Sequence, residues 1–364
     1  MAKFDIPGNY DRVTTAYFND ARNHLSTAIN YTKGSNEIFI YSNFPEYLED
    51  SHLGDANRPC YINRVTVNNK QKVLIYLTHH LEKLKGNYTL GIRVYNPASS
   101  GSITFTKKHE GYSNTNSWSN PGYAWEDFFA TKSGTTTVYA GESKWLATKS
   151  INYTGNSGGS FLDYFGEFTV TGSFVIAVYV CKNINNISDT TYPISWTSSN
   201  VTYSGSSDCY SLTGSKTLDM ADALVSYRNS FFFGISNPQD GLGGSTEKVP
   251  ITLTQGGTVT TANNVGNYGL QYKLTFNFKN TSSTPVQVKA YIISNPASHF
   301  AGISSSNGCS KFLSSEQSTS SNRWNFYTSP TIKSSSTPIT IDFTYCHLAL
   351  GSRGAILQFE AVPV

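Results

Sequence analysis

Five apolar side chains, Leu270, Tyr272, Leu274, Phe276 and Phe278, recur at every second position. No face of an α-helix gathers that spacing, whereas one face of a β-strand gathers all five. The stretch therefore predicts a half-buried strand with its apolar face turned inward. After the polar segment Asn280-Thr281-Ser282-Ser283-Thr284-Pro285 the alternation resumes at Val286, Val288, Ala290 and Ile292, which reads as a hairpin joined by turn-forming residues. The other half of the chain holds a similar unit. Tyr88 to Pro97, with Leu90, Ile92 and Val94 in alternation, leads through Ala98-Ser99-Ser100-Gly101 into Ile103 and Phe105. Both copies open on Gly-Asn-Tyr, at Gly86 and Gly266, so an internal duplication is the economical reading.

Further strands are expected at 37–41, 64–67, 73–78, 165–170, 174–180, 231–235, 249–254, 339–344 and 355–362. Gly, Asn and Pro lie between them, the punctuation of a sandwich or jelly roll. Helical periodicity is confined to three short stretches, 15–25, 124–130 and 218–228. The expected fold is all-β, two tandem jelly-roll-like β-sandwiches. Residues 1–190 would form the first, with an N-terminal arm over Phe4 to Ala16, and 191–364 the second. The boundary falls in the polar segment from Lys182 to Ser199, and the Ser-rich stretch from Ser305 to Ser336 reads as a long exposed loop.

Charge is scarce. Only 14% of the residues are charged, against roughly 25% in an ordinary soluble domain, and aromatic residues make up another 14%. That balance excludes a disordered chain, which needs high charge and few aromatics. A net charge of +3 over 364 residues offers no field for neutralising phosphates, so nucleic acid is not an expected partner. The longest apolar run, Phe174 to Cys181, is far short of the ~20 residues a membrane helix requires and reads as a buried strand. The N-terminal residues lack the apolar core of a signal peptide. Abundant Ser, Thr, Asn, Gly and Tyr nevertheless suggest a mature extracellular or cell-surface protein.

The segment from Gly266 to Asn280 resembles a motif of uncharacterised secreted bacterial tandem β-sandwich proteins, of the domain-of-unknown-function type. The resemblance extends to Leu74–Thr78, Ile92–Pro97, Val138–Glu142 and the strands between Phe165 and Val180. It implies a secreted or surface β protein and brings no catalytic residues. Some proteins of this look are labelled copper-amine-oxidase-like because of an appended stalk domain, and that label is not carried over.

Candidate chemistry is sparse. Tyr112, Trp118, Tyr123 and Trp125 lie in one Ser/Asn/Gly-rich segment with Phe128 and Phe129. Sugar rings stack on exposed aromatic faces, so these four are candidate carbohydrate-stacking residues. The competing and favoured reading has them buried as a satellite core. Cys309 with Cys346 and Cys181 with Cys209 are candidate disulfides, with buried free thiols as an equal alternative. No metal site is expected. His79 and His80, as strand neighbours, point to opposite faces, and so do Cys346 and His347; His52, His109 and His299 add no metal-ligand spacing. Calcium has only loop carboxylates to offer it, at Glu46, Glu49, Asp50, Asp55 and Asp240, none with EF-hand spacing. Glycoside hydrolysis needs two converging carboxyls, and Asp163, Glu167, Glu126 and Asp127 lie near aromatic residues.

Together these features favour a non-catalytic extracellular structural protein, a self-assembling subunit of a fibre, surface layer or matrix. A carbohydrate-binding protein is the alternative and a secreted hydrolase the second alternative. The expected partner is the chain itself, with a polysaccharide in the alternative.

Overall fold

The computed structural model describes residues 10–43, 47–50, 53–55, 58–59, 61–84, 86–115, 120–129, 132–151, 161–187, 204–235, 245–255, 258–264, 267–294, 299–305, 310–315, 321–334, 336–348 and 354–364. The fold is all-β, with a few short helices. It divides into two units. The first comprises Met1–Gly34, Ser211–Val249 and Asn264–Val364, and the second Ser35–Tyr210 and Pro250–Asn263. A single cut at residue 190 does not reproduce this division. Strand pairing joins segments remote in sequence, so residues before 35 belong with the C-terminal half, and the chain returns to the second unit for one hairpin.

Strands are numbered in chain order. The first unit holds β1 (Tyr10–Val13), β2 (Tyr31–Lys33), β16 (Ser211–Asp219), β17 (Ser230–Ile235), β20 (Gln271–Lys279), β21 (Val286–Ser294), β22 (His299–Ser305), β23 (Ser310–Ser315), β24 (Ser321–Thr328), β25 (Ile339–His347) and β26 (Ala355–Pro363). They form a sheet of order β1-β24-β21-β26-β17 and a second of order β2-β16-β20-β25-β22-β23. Eight of them, β17 and β20 to β26, make two four-stranded antiparallel arrays, the plan of a jelly roll.

The second unit holds β3 (Glu37–Ser42), β4 (Tyr47–Glu49), β5 (Gly54–Asp55), β6 (Arg58–Pro59), β7 (Tyr61–Val67), β8 (Lys72–Lys83), β9 (Tyr88–Tyr95), β10 (Ser102–Thr115), β11 (Gly134–Tyr139), β12 (Ser143–Ile151), β13 (Phe161–Val170), β14 (Phe174–Cys181), β15 (Ser204–Ser207), β18 (Pro250–Gln255) and β19 (Thr258–Asn263). One sheet runs β11-β10-β13-β8-β3-β15-β18-β19 and the other β12-β9-β14-β7.

The two units share a strand plan. In chain order β8, β9, β10, β11, β12 and β13 correspond to β17, β20, β21, β24, β25 and β26. The quartet β11-β10-β13-β8 matches β24-β21-β26-β17, and the pair β12-β9 matches β25-β20, all antiparallel. The hairpin β22–β23 of the first unit has a helix, α2 (Asn120–Phe129), at its place in the chain of the second. A helix also rests on the outer face of each quartet. In the first unit α1 (Thr15–Asn23) seats Phe18 and Ala21 on Phe232, Ile293 and Ile356, and a further short helix, α3, spans Met220–Leu224. All three helical stretches expected from sequence are present.

The alternation seen in the sequence is realised in both cores. Leu270, Tyr272, Leu274, Phe276 and Phe278 are all buried, as are Leu90, Ile92 and Val94. β14 is buried along its whole length. The expected hairpins, however, are not hairpins. β20 pairs with β16 and β25, while β21 pairs with β24 and β26; likewise β9 pairs with β12 and β14, and β10 with β11 and β13. The turn after β20, built on the Asn280 amide donating to Thr284 O and Ile332 O, carries the chain from one sheet to the other. The stretch from Ser305 to Ser336 also departs from expectation, because β23 and β24 run through it. Trp324 and Phe326 alternate inward there, which the surrounding serines disguise.

Candidate functional site

The aromatic segment singled out from sequence becomes the end of β10 and helix α2. Pro121 sits next to the helix start, where its missing N–H costs nothing, and Trp125 and Phe128 lie three apart on one helical face. Both are buried. They pack on Phe165 of β13, at ring-centre distances of 5.4 and 5.8 Å. Phe165 stacks on Tyr76 at 4.1 Å, Tyr76 meets Tyr41 at 5.7 Å, and Tyr41 meets Phe39 at 5.7 Å. A ladder of rings thus crosses β13, β8 and β3 on the helix-bearing face, cross-strand pairing that stabilises a sheet.

Gly111 of β10 permits the helix to approach. A Cβ there would lie 1.8 Å from the Ala124 carbonyl oxygen and 2.5 Å from the Phe128 nitrogen, both backbone atoms that cannot swing aside. Gly111→Ala is therefore expected to destabilise the protein by about 1–3 kcal/mol or more as α2 is pushed off the sheet. A urea unfolding midpoint unchanged from wild type would contradict this packing.

Beside the ring ladder lies a buried polar cluster. Asp163 stands in register between Thr78 of β8 and Ser113 of β10. Asn120, the first residue of α2, donates to Asp163 Oδ2 at 2.5 Å and to Ser113 O at 3.0 Å. Its own Oδ1 accepts from Ser113 Oγ at 2.6 Å and Thr115 Oγ1 at 2.9 Å. Burial pushes the Asp163 carboxyl up to about 7, against the opposing hydrogen bonds of Asn120 and Thr78. A carboxyl poised there has the proton affinity of a general acid or base. Here it is sealed from solvent, and its role is to pin the start of α2 to the sheet.

The other carboxylates near aromatic rings have separate tasks. Glu167 accepts from Tyr210 Oη at 2.8 Å, and Asp127 pairs with Lys132 at 2.5 Å and accepts from the Tyr112 amide. Glu126 is raised by partial burial and by the neighbouring Asp127 charge. Glu110, unremarked in the sequence, is a buried carboxylate held by two lysines. Lys107 and Lys149 each approach it at 3.0 Å and Tyr164 Oη donates to it, so that despite burial its carboxyl is held below the usual range.

Of the candidate stacking residues, Trp125 is buried and cannot present a face to a sugar, because α2 turns it onto Phe165. Tyr112 is half-buried against the core, its hydroxyl donating to Ser150 O at 2.7 Å. Tyr123 is exposed. Trp118 lies outside the described residues.

The histidine pair diverges as expected, with both members buried: His79 Nε2 lies 3.1 Å from Ser42 Oγ, and His80 packs between Tyr47 and Phe161. His109 lies against Phe128, and His347 Nδ1 is 3.3 Å from Tyr345 Oη; His52 and the His299 side chain lie outside the described residues. Cys181 and Cys346 are buried free thiols, so the Cys181–Cys209 and Cys309–Cys346 bridges are not formed; burial pushes Cys181 up to about 11. Cys309 and Cys60 lie outside the described residues. Of the candidate calcium ligands, Asp50 accepts from Tyr88 Oη and lies 3.8 Å from Lys182. Glu49 is half-buried, while Glu46, Asp240 and the Asp55 side chain lie outside the described residues. Among the described residues no three His, Cys, Asp or Glu side chains gather to hold a metal ion, and no helix is long and apolar enough to cross a membrane.

No family model matches the chain, and no curated protein matches it. Solved structures with some likeness include the N-terminal CBM22-1-CBM22-2 tandem domain of Xyn10C from Paenibacillus barcinonensis, at 9% identity, TM-score 0.12, covering 79% of this chain and 82% of that one. The 11S globulin of Wrightia tinctoria follows at 8% identity and TM-score 0.12, with 87% of each chain covered. Procruciferin, the 11S globulin of Brassica napus, gives 8% identity and TM-score 0.12 over 100% of this chain and 87% of that one. Superpositions this loose carry no functional argument. The all-β assignment rests on the strands themselves.

Proposed function

We propose that this protein is an extracellular structural subunit that assembles with copies of itself. The observation that carries the reading is the repeated strand plan: one chain holds two jelly-roll units, each with a helix on the same quartet of strands. Each unit also ends a sheet on a strand that has no outer strand partner among the described residues, β17 in the first and β11 in the second, and repeated modest contacts at such edges combine through effective concentration. The low charge supports the same reading, since little repulsion opposes contact between copies. The residues with chemical potential are spent on the interior. Asp163 pins α2, Glu110 holds two lysines, and Trp125 fills the space between helix and sheet.

Sedimentation velocity of the full chain over a wide concentration range tests this. Species much larger than the 40.0 kDa chain are expected, their proportion rising with concentration. A strictly monomeric protein that binds a polysaccharide would replace the structural reading with the carbohydrate one, and turnover of a glycan would replace it with the hydrolase.

A further inference from the structure

The correspondence between the units singles out one edge. In the first unit, β24 is flanked on its outer side by β1, antiparallel from Tyr10↔Trp324 to Val13↔Ser321. Its counterpart in the second unit is β11, and among the described residues no strand pairs with the outer side of β11. Two side chains from the following turn and strand stand there instead. Lys144 Nζ donates to Thr137 O at 2.7 Å, and the Tyr139 amide donates to Glu142 Oε2 at 3.4 Å. Those contacts identify which backbone groups face outward. Thr135 and Thr137 present their N–H and C=O to the edge and Tyr139 its N–H, the Tyr139 C=O being engaged by the Glu142 amide at 2.9 Å, while the alternate residues between them bond to β10.

We propose that the outer edge of β11 pairs with the β11 edge of a second copy, antiparallel about a twofold axis at Thr137. This rests on the self-assembly reading and names its contact. The strand Gly134-Thr135-Thr136-Thr137-Val138-Tyr139 has no charge and no proline, is rich in β-branched residues, and is exposed at Thr135 and Tyr139. These are properties of an edge open to strand addition. With Thr137 opposite Thr137, Thr135 of each copy meets Tyr139 of the other, and the Thr137 N–H and C=O, the Thr135 C=O and the Tyr139 N–H find partners. A twofold contact of this kind closes upon itself, so this edge joins copies into pairs and larger species need a second contact between pairs. The β1 segment is not the expected occupant, being held at β24 of its own chain. Glu142 and Lys144 must leave the backbone for the second strand to enter. They lie 3.7 Å apart, so displacement leaves them paired with each other and strands no charge. The pair acts as a removable guard that sets the concentration at which copies join.

Three variants of the full chain test the edge by sedimentation and crosslinking. Glu142→Ala with Lys144→Ala removes the guard and is expected to lower the concentration of half-association by about tenfold or more. Thr137→Pro removes an outward N–H without touching a bond to β10, and is expected to weaken association. Thr137→Cys is expected to give an oxidised covalent dimer absent from wild type, a readout that survives if the proline variant fails to fold. Assembly of wild type that is unchanged in Thr137→Pro, with no crosslink in Thr137→Cys, overturns the edge and leaves the self-assembly reading standing. A wild type that stays monomeric while the guardless variant dimerises supports the edge and overturns the self-assembly reading. Monomers in every variant overturn both.

Discussion

Replacing Phe276 with alanine is expected to cost about 3–5 kcal/mol of stability, as loss of a large buried ring generally does. Phe276 is fully buried where the two sheets of the first unit face each other. Its ring centre lies 4.3 Å from Phe359, 5.7 Å from Phe233 and 6.0 Å from Phe343, so neighbours on three strands would border the cavity. Lys273 is exposed on the opposite face of the same strand, and Lys273→Ala should stay within about 0.5 kcal/mol of wild type. Urea unfolding of both variants checks the register. A negligible cost at Phe276 with a large one at Lys273 would mean that β20 is placed one residue out, since such a slip exchanges the faces.

The second large effect is a pH dependence centred on Asp163. Its carboxyl is raised by burial from 3.8 to about 7 in the folded protein. Between those values the folded state holds a proton that the unfolded state releases. The stabilisation is therefore fully present below about pH 4, declines as pH rises, and is lost above about pH 7. The difference amounts to about 4 kcal/mol. Asp163→Asn keeps the shape and an acceptor for the Asn120 amide, yet has nothing to ionise. At pH 8 the variant should be more stable than wild type by a few kcal/mol, and at pH 4 the gap should close. Denaturation curves of both proteins across this range provide the check, and a gap that does not change with pH would show that Asp163 is not the buried acid described here.

Alternation in the sequence reports which face a residue occupies and says nothing of which strand lies beside it. This is why Leu270 to Phe278 and Leu90 to Val94 were legible as core, whereas the turns after them were misread as hairpins. Asn280 to Pro285 has the residues of a tight turn, and the same chemistry serves a corner between two sheets. The domain boundary was hidden for a related reason. β3 lies between β8 and β15 in its sheet, and β18 pairs with β15 on the far side; such long-range pairings leave no local mark in composition.

The candidate site divides along the same line. Burial of the aromatic segment is what the large apolar area of its rings suggests, and α2 does bury Trp125 and Phe128 while leaving Tyr123 exposed. The Asp163–Asn120–Ser113 cluster was not readable. Its one trace is a carboxylate between Phe161 and Phe165 on the apolar face of a strand, and its hydrogen-bonding partners come from two other elements. Gly111 looked like an ordinary strand glycine until the Ala124 carbonyl was seen to occupy the place of its missing side chain.

Electron microscopy of the purified full chain, at concentrations where sedimentation detects large species, tests the central claim most directly. The account predicts regular particles, sheets or fibres in which the jelly-roll units repeat and neighbouring copies meet along strand edges. A field of separate 40.0 kDa particles at every concentration would contradict it.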